Sequence, residues 1–564
     1  MKGCGLALIL SLFSGVAAAQ QVTCDLGSYK AVTGVTAEQS GSVVSLTWRG
    51  ESNEELRARL GVRDGQPMVT ELAARKAGGQ WMVLGKDLTP EFQVTTGKRR
   101  LSRTQQQALK RFGIDTPEQE NARKWNTFWD APLVIPGGTD ERKGDSQPLP
   151  RSPDEVRRGN SSYATKTCSV TTDGDQVSVT YNGLTLGIFA GDLRFTVYKG
   201  SNLLRLEAIA KTEEPSVAFI YKAGLKGFQI QGDTRLAWQD TARGWQEEKF
   251  GGKPNQNPVN LRARNRLEIL DAREGSLAIF PSPHKFFFAR EDGVNLGYVY
   301  YRKDNNSSFS LGVMQPEHGE GYEPWGVSDQ EYAKTESESR AFVDNYALYN
   351  APPGTEQHMA VYYYLSPRAE RSTQESVLAY THDDVYKPVP GFKVVTGHYH
   401  QRVNEALHDR DDLDYRISSM DVFRNAGINI VYLGDEFPGR QGGPNRFIDQ
   451  KAYFEGSARS SDKDFLVIPA EEVNSFLGGH WYLMTPKPIY FSHANTPSAN
   501  QPFEENYPTY GHVYHLGSAD DVLKLVNQEK GIMWVTHPRT KSSEGYPEAY
   551  KDRDFFLSDR FIGA

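Results

Sequence analysis

His398 and His400 stand two residues apart in GFKVVTGHYH, just after the short apolar run FKVV. In an extended segment, side chains two apart point to the same side. Both imidazoles therefore address one point, as a metal-ligand pair does and as a chance surface pair also would. Other titratable residues follow apolar runs in the same way: Asp435 and Glu436 after INIVYLG, Glu471 and Glu472 after DFLVIPA, and His537 after IMWVT. His480 precedes WYLM, and Arg539 lies two residues beyond His537. Eight of the 12 histidines fall from Gly391 onward. Imidazole and carboxylate without a thiolate suit Zn, Mn or Fe and argue against a structural zinc knot. His408, His493, His512 and His515 receive no role.

Those residues need elements to bring them together, and the chain has two grammars. From about Gln21 to Asp384 it reads mainly as strands. QVSVTYNGLTLGIFAGDLRFTVYKGSNLLRLEAIAK alternates apolar and polar residues between Asn-Gly and Gly-Ser-Asn turns, the hairpin signature. Many such strands predict a large antiparallel sandwich. Two interruptions are expected, a short helix over 102–113 with Ala108, Leu109 and Phe112 inward, and a polar loop over 137–160. The segment from His382 to Phe392, with Pro388 and Pro390, reads as a linker centred on 385–391. After it, Leu413, Ile417, Met420 and Phe423 recur at helical spacing and end at Gly427. INIVYLGDE, DFLVIPAEE and IMWVTHPR read as strands, and SADDVLKLVNQEKG as a helix opened by Ser518 and Asp521. Helices alternating with apolar strands predict a parallel or mixed α/β unit. Its strand ends form the rim where such folds build sites. The polar stretch 492–518 reads as a loop able to cover that rim.

Bulk properties narrow the function. A formal net charge of -7 carries none of the basic footprint of a nucleic-acid binder and suits a small-molecule or saccharide-linked substrate. MKGCGLALILSLFSGVAAAQ reads as a signal peptide over 1–20, so a periplasmic or secreted protein is expected, with no integral membrane segment in the mature chain. Cys24 and Cys168 then remain, either paired in an oxidising compartment or free and buried. Serine-hydrolase and NTPase readings have no motif support.

The motifs H-x-H, the Asp after a hydrophobic strand, V-I-P-A-E-E and T-H-P together resemble the PHP (polymerase and histidinol phosphatase) superfamily, in its secreted carbaryl-hydrolase-like branch, over about Phe392 to Arg539. The resemblance implies a distorted βα barrel over 392–564, a divalent metal, and a hydrolase acting on a phosphoester or an ester, carbamate or amide bond. It implies His398, His400, Asp435, Glu472, His480 and His537 as metal ligands. Glu436 or Glu471 is then placed to accept the proton of the attacking water, and Arg539 to hold an anionic group. The chain departs from the family in having Asp435-Glu436 where Asp-His is usual, in lacking a late Asp-x-His, and in having few residues for seven strands. The segment GDLRFTVYKGSNLLRLEAIAK is similar to galactose-mutarotase-like sandwiches. Trp238, Trp245, Tyr298, Tyr300 and Tyr301 there suit either sugar stacking or core packing, with packing favoured. Two other readings stay open. One is a non-catalytic saccharide-binding envelope protein on a degenerate PHP-like scaffold. The other is an enzyme acting from the sandwich, around His284, His318 or His358.

Overall fold

The computed structural model describes residues 22–99, 153–282, 299–315, 349–399, 417–434, 444–493 and 501–536, apart from single positions and pairs within them, with a few positions in 110–122 and 554–563. The expected helix over 102–113 lies outside the described residues almost entirely.

The first half is an antiparallel β-sandwich. One layer runs, in spatial order, through strands Cys168–Asp173, Gln176–Leu186, Phe189–Tyr198, Leu203–Lys211, Gln357–Ser366, Gly275–Phe280 and Glu268–Ala272. The facing layer runs through Met82–Lys98, Val217–Gln229, Ser308–Met314 and Val299–Lys303. Alternation decides the faces. Leu204, Leu206, Ala208 and Ala210 enter the core that both layers share, while Arg205 lies on the other side of its strand. The layers touch through Phe189 and Phe219, whose ring centroids are 5.2 Å apart, and through the Tyr221 hydroxyl, which donates to the Ala360 carbonyl at 2.9 Å. A disulfide joins Cys24 to Cys168 across 144 residues, where strand Cys24–Asp25 pairs in parallel with Cys168 and Ser169. Of the two cysteine readings, the paired one holds.

Packing takes most of the aromatics considered for sugar stacking. Tyr300 is fully buried, Trp238 and Tyr301 pack on the main core, and Trp245 packs on a smaller cluster beneath a helix. Tyr298 is outside the described residues. Two local readings need correction. Arg157–Tyr163 is a strand, paired with Met82–Lys98, so the polar loop does not extend through 157–160. Glu370–Thr381 is a helix inside the stretch read as strands.

Glu268 is an exception in this core. It is fully buried near Tyr300 and Tyr363, with no hydrogen bond of ordinary geometry to either oxygen among the described residues. Burial pushes its carboxyl well above the usual carboxylate range, against a smaller opposing pull from the Gly312 backbone. The folded state therefore holds this proton after the unfolded chain, with an ordinary pKa of about 4.3, has lost it. The stability contributed by the proton is full below that value and is lost as pH rises toward the folded pKa. Glu268→Gln cannot ionise. Its melting temperature is expected to match wild type near pH 4 and to exceed it increasingly toward pH 8. Parallel melting curves across that range would contradict a protonated Glu268.

After the linker, nine strands among the described residues form three three-stranded sheets. Val395–Tyr399, Ile430–Leu433 and Leu466–Ile468 pair in parallel, as strands separated by helices should. Helix Met420–Asn425 lies between the first two and buries Met420 and Phe423, ending before Gly427 at φ +80°. Helix Pro444–Arg459 lies between the second and third. DFLVIPAEE is not one strand: Glu471–Val473 leaves the parallel sheet and pairs antiparallel with Trp481–Met484, which in turn pairs antiparallel with Ile532–Val535. The region 492–518 is likewise more than a loop. Glu504–Tyr507 and Gly511–Leu516 are strands, joined to Tyr490–His493. Helix Ala519–Gln528 begins as expected, with Ser518 accepting a hydrogen bond from the Asp521 amide. The described strands thus do not form one continuous βα barrel. Among the described residues no helix is long and apolar enough to cross a membrane.

Candidate functional site

Two sheets present the same kind of edge to one place. The parallel sheet brings the end of Val395–Tyr399 beside the end of Ile430–Leu433, where the Gly434 amide donates to the Tyr399 carbonyl at 3.0 Å. In the antiparallel sheet, Trp481 is opposite both Val473 and Val535, so His480 directly precedes its strand where the two neighbours end. The Thr536 amide donates to the His480 carbonyl at 3.0 Å.

Glu472 is the centre of this edge and is almost fully buried, at 2 % exposure. His480 Nδ1 lies 2.8 Å from its Oε1, the Thr536 hydroxyl donates to the same oxygen at 2.7 Å, and His398 Nε2 lies 3.2 Å from its Oε2. Three chain segments far apart in sequence thus meet on one carboxylate. His398 reaches it from a β-bulge, with the pairing shifting between Gly397 and Tyr399 and with φ +67° at His398 itself. A left-handed conformation at a non-glycine residue costs on the order of 1–3 kcal/mol and persists where the surroundings hold it. Aromatic rings form the floor. His398 meets Tyr482 edge to face at 5.2 Å between centroids, and Tyr482 stacks on Trp534 at 5.1 Å. Bare backbone is needed for this closeness: a Cβ at Gly397 would meet the Tyr432 ring, and one at Gly434 the Tyr482 hydroxyl.

Glu471, though adjacent, does not join this group. Successive residues of a strand face opposite ways, and its carboxylate is ion-paired with Arg446, which is fully buried. Gln450 Nε2 reaches the other Glu471 oxygen at 3.4 Å, and His493 Nε2 lies 4.0 Å from Oε1. Burial and the Arg446 guanidinium push His493 down to about 3, so it stays neutral. Of the sequence candidates, then, His398, Glu472 and His480 are brought together and Glu471 is engaged elsewhere. His400, Asp435, Glu436, His537 and Arg539 lie outside the described residues. In sequence, His400, Asp435 and His537 each come next after a described residue of this edge, namely Tyr399, Gly434 and Thr536. Thr536, Tyr482 and Arg446 were missed by sequence reasoning. Thr536 carried a signal, since it directly precedes His537 at a strand end. Tyr482 lay in the apolar run WYLM, and Arg446 in a stretch to which no element was assigned.

Imidazole and carboxylate are donor types that suit a divalent metal, but among the described residues alone no three His, Cys, Asp or Glu side chains are arranged to hold an ion. In the first half, His284 and His318 are outside the described residues. His358 Nδ1 lies 2.9 Å from the Glu207 carboxylate, which also pairs with Arg205. His515 of the second half is held by Ser492 at 2.8 Å and Glu505 at 3.1 Å.

No family model matches the sequence, and no curated protein matches it. Solved structures similar to it include a TPR-domain-containing protein from Parabacteroides distasonis, at 11 % identity and TM-score 0.27, covering 74 % of this chain and 64 % of that one. The GH36 alpha-galactosidase AgaB from Geobacillus stearothermophilus is similar at 10 % identity and TM-score 0.28, covering 88 % of this chain and 64 % of that one. This chain thus spans less than two thirds of either protein. A putative aldose 1-epimerase from Escherichia coli K12 is similar at 10 % identity and TM-score 0.24, covering 59 % of this chain and 98 % of that one.

Proposed function

We propose that the second half of this chain is a metal-dependent hydrolase domain of the PHP type, acting outside the cytoplasm on a phosphoester or an ester, carbamate or amide bond. The observation that carries this reading is the buried Glu472 carboxylate, met by imidazoles from two other segments at an edge whose next residues in sequence are His400, Asp435 and His537. His398, Glu472 and His480 would hold the ion, together with those three. The chemistry supplied by a bound Zn, Mn or Fe ion is acidification of water and polarisation of the bond under attack. The chain's own residues do the rest. The Thr536 hydroxyl fixes the rotation of the Glu472 carboxylate, Tyr482 and Trp534 exclude water from beneath, and Glu436 is the remaining candidate for proton acceptance, since Glu471 is tied to Arg446.

The test is the metal content of the mature protein, purified without chelator or histidine tag, beside a His398→Ala/His400→Ala variant. One or more Zn, Mn or Fe per chain, lost in the variant, is the expected result. No metal in either protein after loading would leave this unit as a scaffold and turn attention to saccharide binding by the sandwich.

A further inference from the structure

Arg446 is fully buried in helix Pro444–Arg459, and its guanidinium touches strand Glu471–Val473, which carries Glu472, and strand Tyr490–His493. It pairs with Glu471, donates from Nε to the Phe491 carbonyl at 2.7 Å, and lies 4.9 Å over the Phe491 ring. One helical turn later, Gln450 repeats the grip, donating to Glu471 at 3.4 Å and accepting from the Phe491 amide at 3.3 Å. A buried ion pair is a poor source of net stability, because desolvation of the two charges offsets their attraction; apolar replacements of both partners are often neutral or better. Stability alone therefore does not account for Arg446.

We propose that Arg446 is a positioning residue for the candidate metal centre, holding Glu472 aimed at His398 and His480 by clamping the opposite side of the three-residue strand. The Glu471 side chain is fixed at both oxygens by one helix, so the backbone that carries Glu472 cannot rotate or shift toward solvent. This inference rests on the reading of Glu472 as a metal ligand.

The test uses the full chain with Arg446→Met, Arg446→Lys and the double variant Arg446→Met/Glu471→Met. Zn2+ affinity is measured by competition with a chromogenic chelator. In metal-free protein, NMR follows the His480 Nδ1–H proton that Glu472 accepts. Arg446→Met is expected to weaken Zn2+ binding at least about tenfold, the range seen for residues that orient ligands, and to lose the His480 proton signal. Arg446→Lys, a charge without the fork, is expected to recover part of both. The double variant is expected to regain a wild-type melting temperature without regaining Zn2+ affinity. Wild-type affinity and a wild-type His480 signal in Arg446→Met would overturn the proposal. Should Arg446→Met fail to fold, the double variant decides, and wild-type affinity there overturns it equally. If the wild-type chain binds no Zn2+, the metal reading fails, and the His480 signal alone decides on positioning: its loss in the variant supports the clamp, its persistence refutes it.

Discussion

Glu472→Gln is expected to lower divalent-metal affinity by about 100-fold or more, at least the upper end of what losing a ligand-orienting group costs. Glutamine keeps the volume of the side chain but replaces one acceptor oxygen with an NH2 donor. His480 and Thr536 share one Glu472 oxygen and His398 faces the other, so one orientation of the amide sets its NH2 against the His480 Nδ1–H, and the other turns the NH2 toward His398 where a ligand oxygen is required. With the carboxylate almost wholly buried, solvent does not repair the mismatch. The variant also removes the negative charge that balances a cation in a poorly hydrated place. Metal per chain after dialysis against buffered Zn2+, with circular dichroism to verify folding, reads the effect. A folded Glu472→Gln protein that keeps the wild-type metal content would remove Glu472 from the centre.

Cys24→Ala/Cys168→Ala is expected to cost about 2–5 kcal/mol of sandwich stability. The bond closes a loop with a sequence separation of 144, so in the chain-entropy picture it removes much freedom from the unfolded state. Locally it also secures a strand of two residues, Cys24–Asp25, a ladder too short to hold itself. The thermal midpoint of the variant should fall by several degrees, and amide exchange over residues 22–32 should quicken more than elsewhere. Dithiothreitol should lower the wild-type midpoint and leave that of the variant unmoved. An unchanged midpoint in the variant would mean that the bond constrains nothing the fold does not already constrain.

The sandwich was legible because its signal is local. Residues such as Leu204, Leu206 and Ala208 alternate with Arg205 and Glu207, and the Gly200-Ser201-Asn202 turn lies between two strands, whereas Asn182-Gly183, read as a turn, is a bulge inside strand Gln176–Leu186. The parallel strands of the second half were legible as apolar runs ended by polar residues, which is also how His398, Glu472 and His480 were found. Helix Glu370–Thr381 escaped because the stripe it buries is Glu370, Thr373, Val377 and Thr381, with Val377 the one hydrocarbon side chain among the four. Helix Pro444–Arg459 escaped because it buries Arg446 and Asp449 while exposing Ile448, which inverts the usual pattern. Strand Glu504–Tyr507 is a polar sheet edge with no alternation to read. The division of labour between Glu471 and Glu472 has no sequence signature either: it is set by Arg446, which comes from another element.

That division has a consequence for how the molecule tolerates error. The two acids are chemically interchangeable neighbours, and strand Glu471–Val473 is only three residues long. A one-residue offset in its pairing would set Glu471 among the imidazoles, move Glu472 into the apolar place of Val473 and leave Ala470 facing the buried Arg446. The offset is thus penalised twice, by a buried guanidinium stripped of its carboxylate and by the loss of Val473 from the cluster it shares with Leu477 and Trp481. Proofreading of the centre is shared between a cation and hydrocarbon: a polar residue in place of Val473 would weaken one of the two checks without touching either acid.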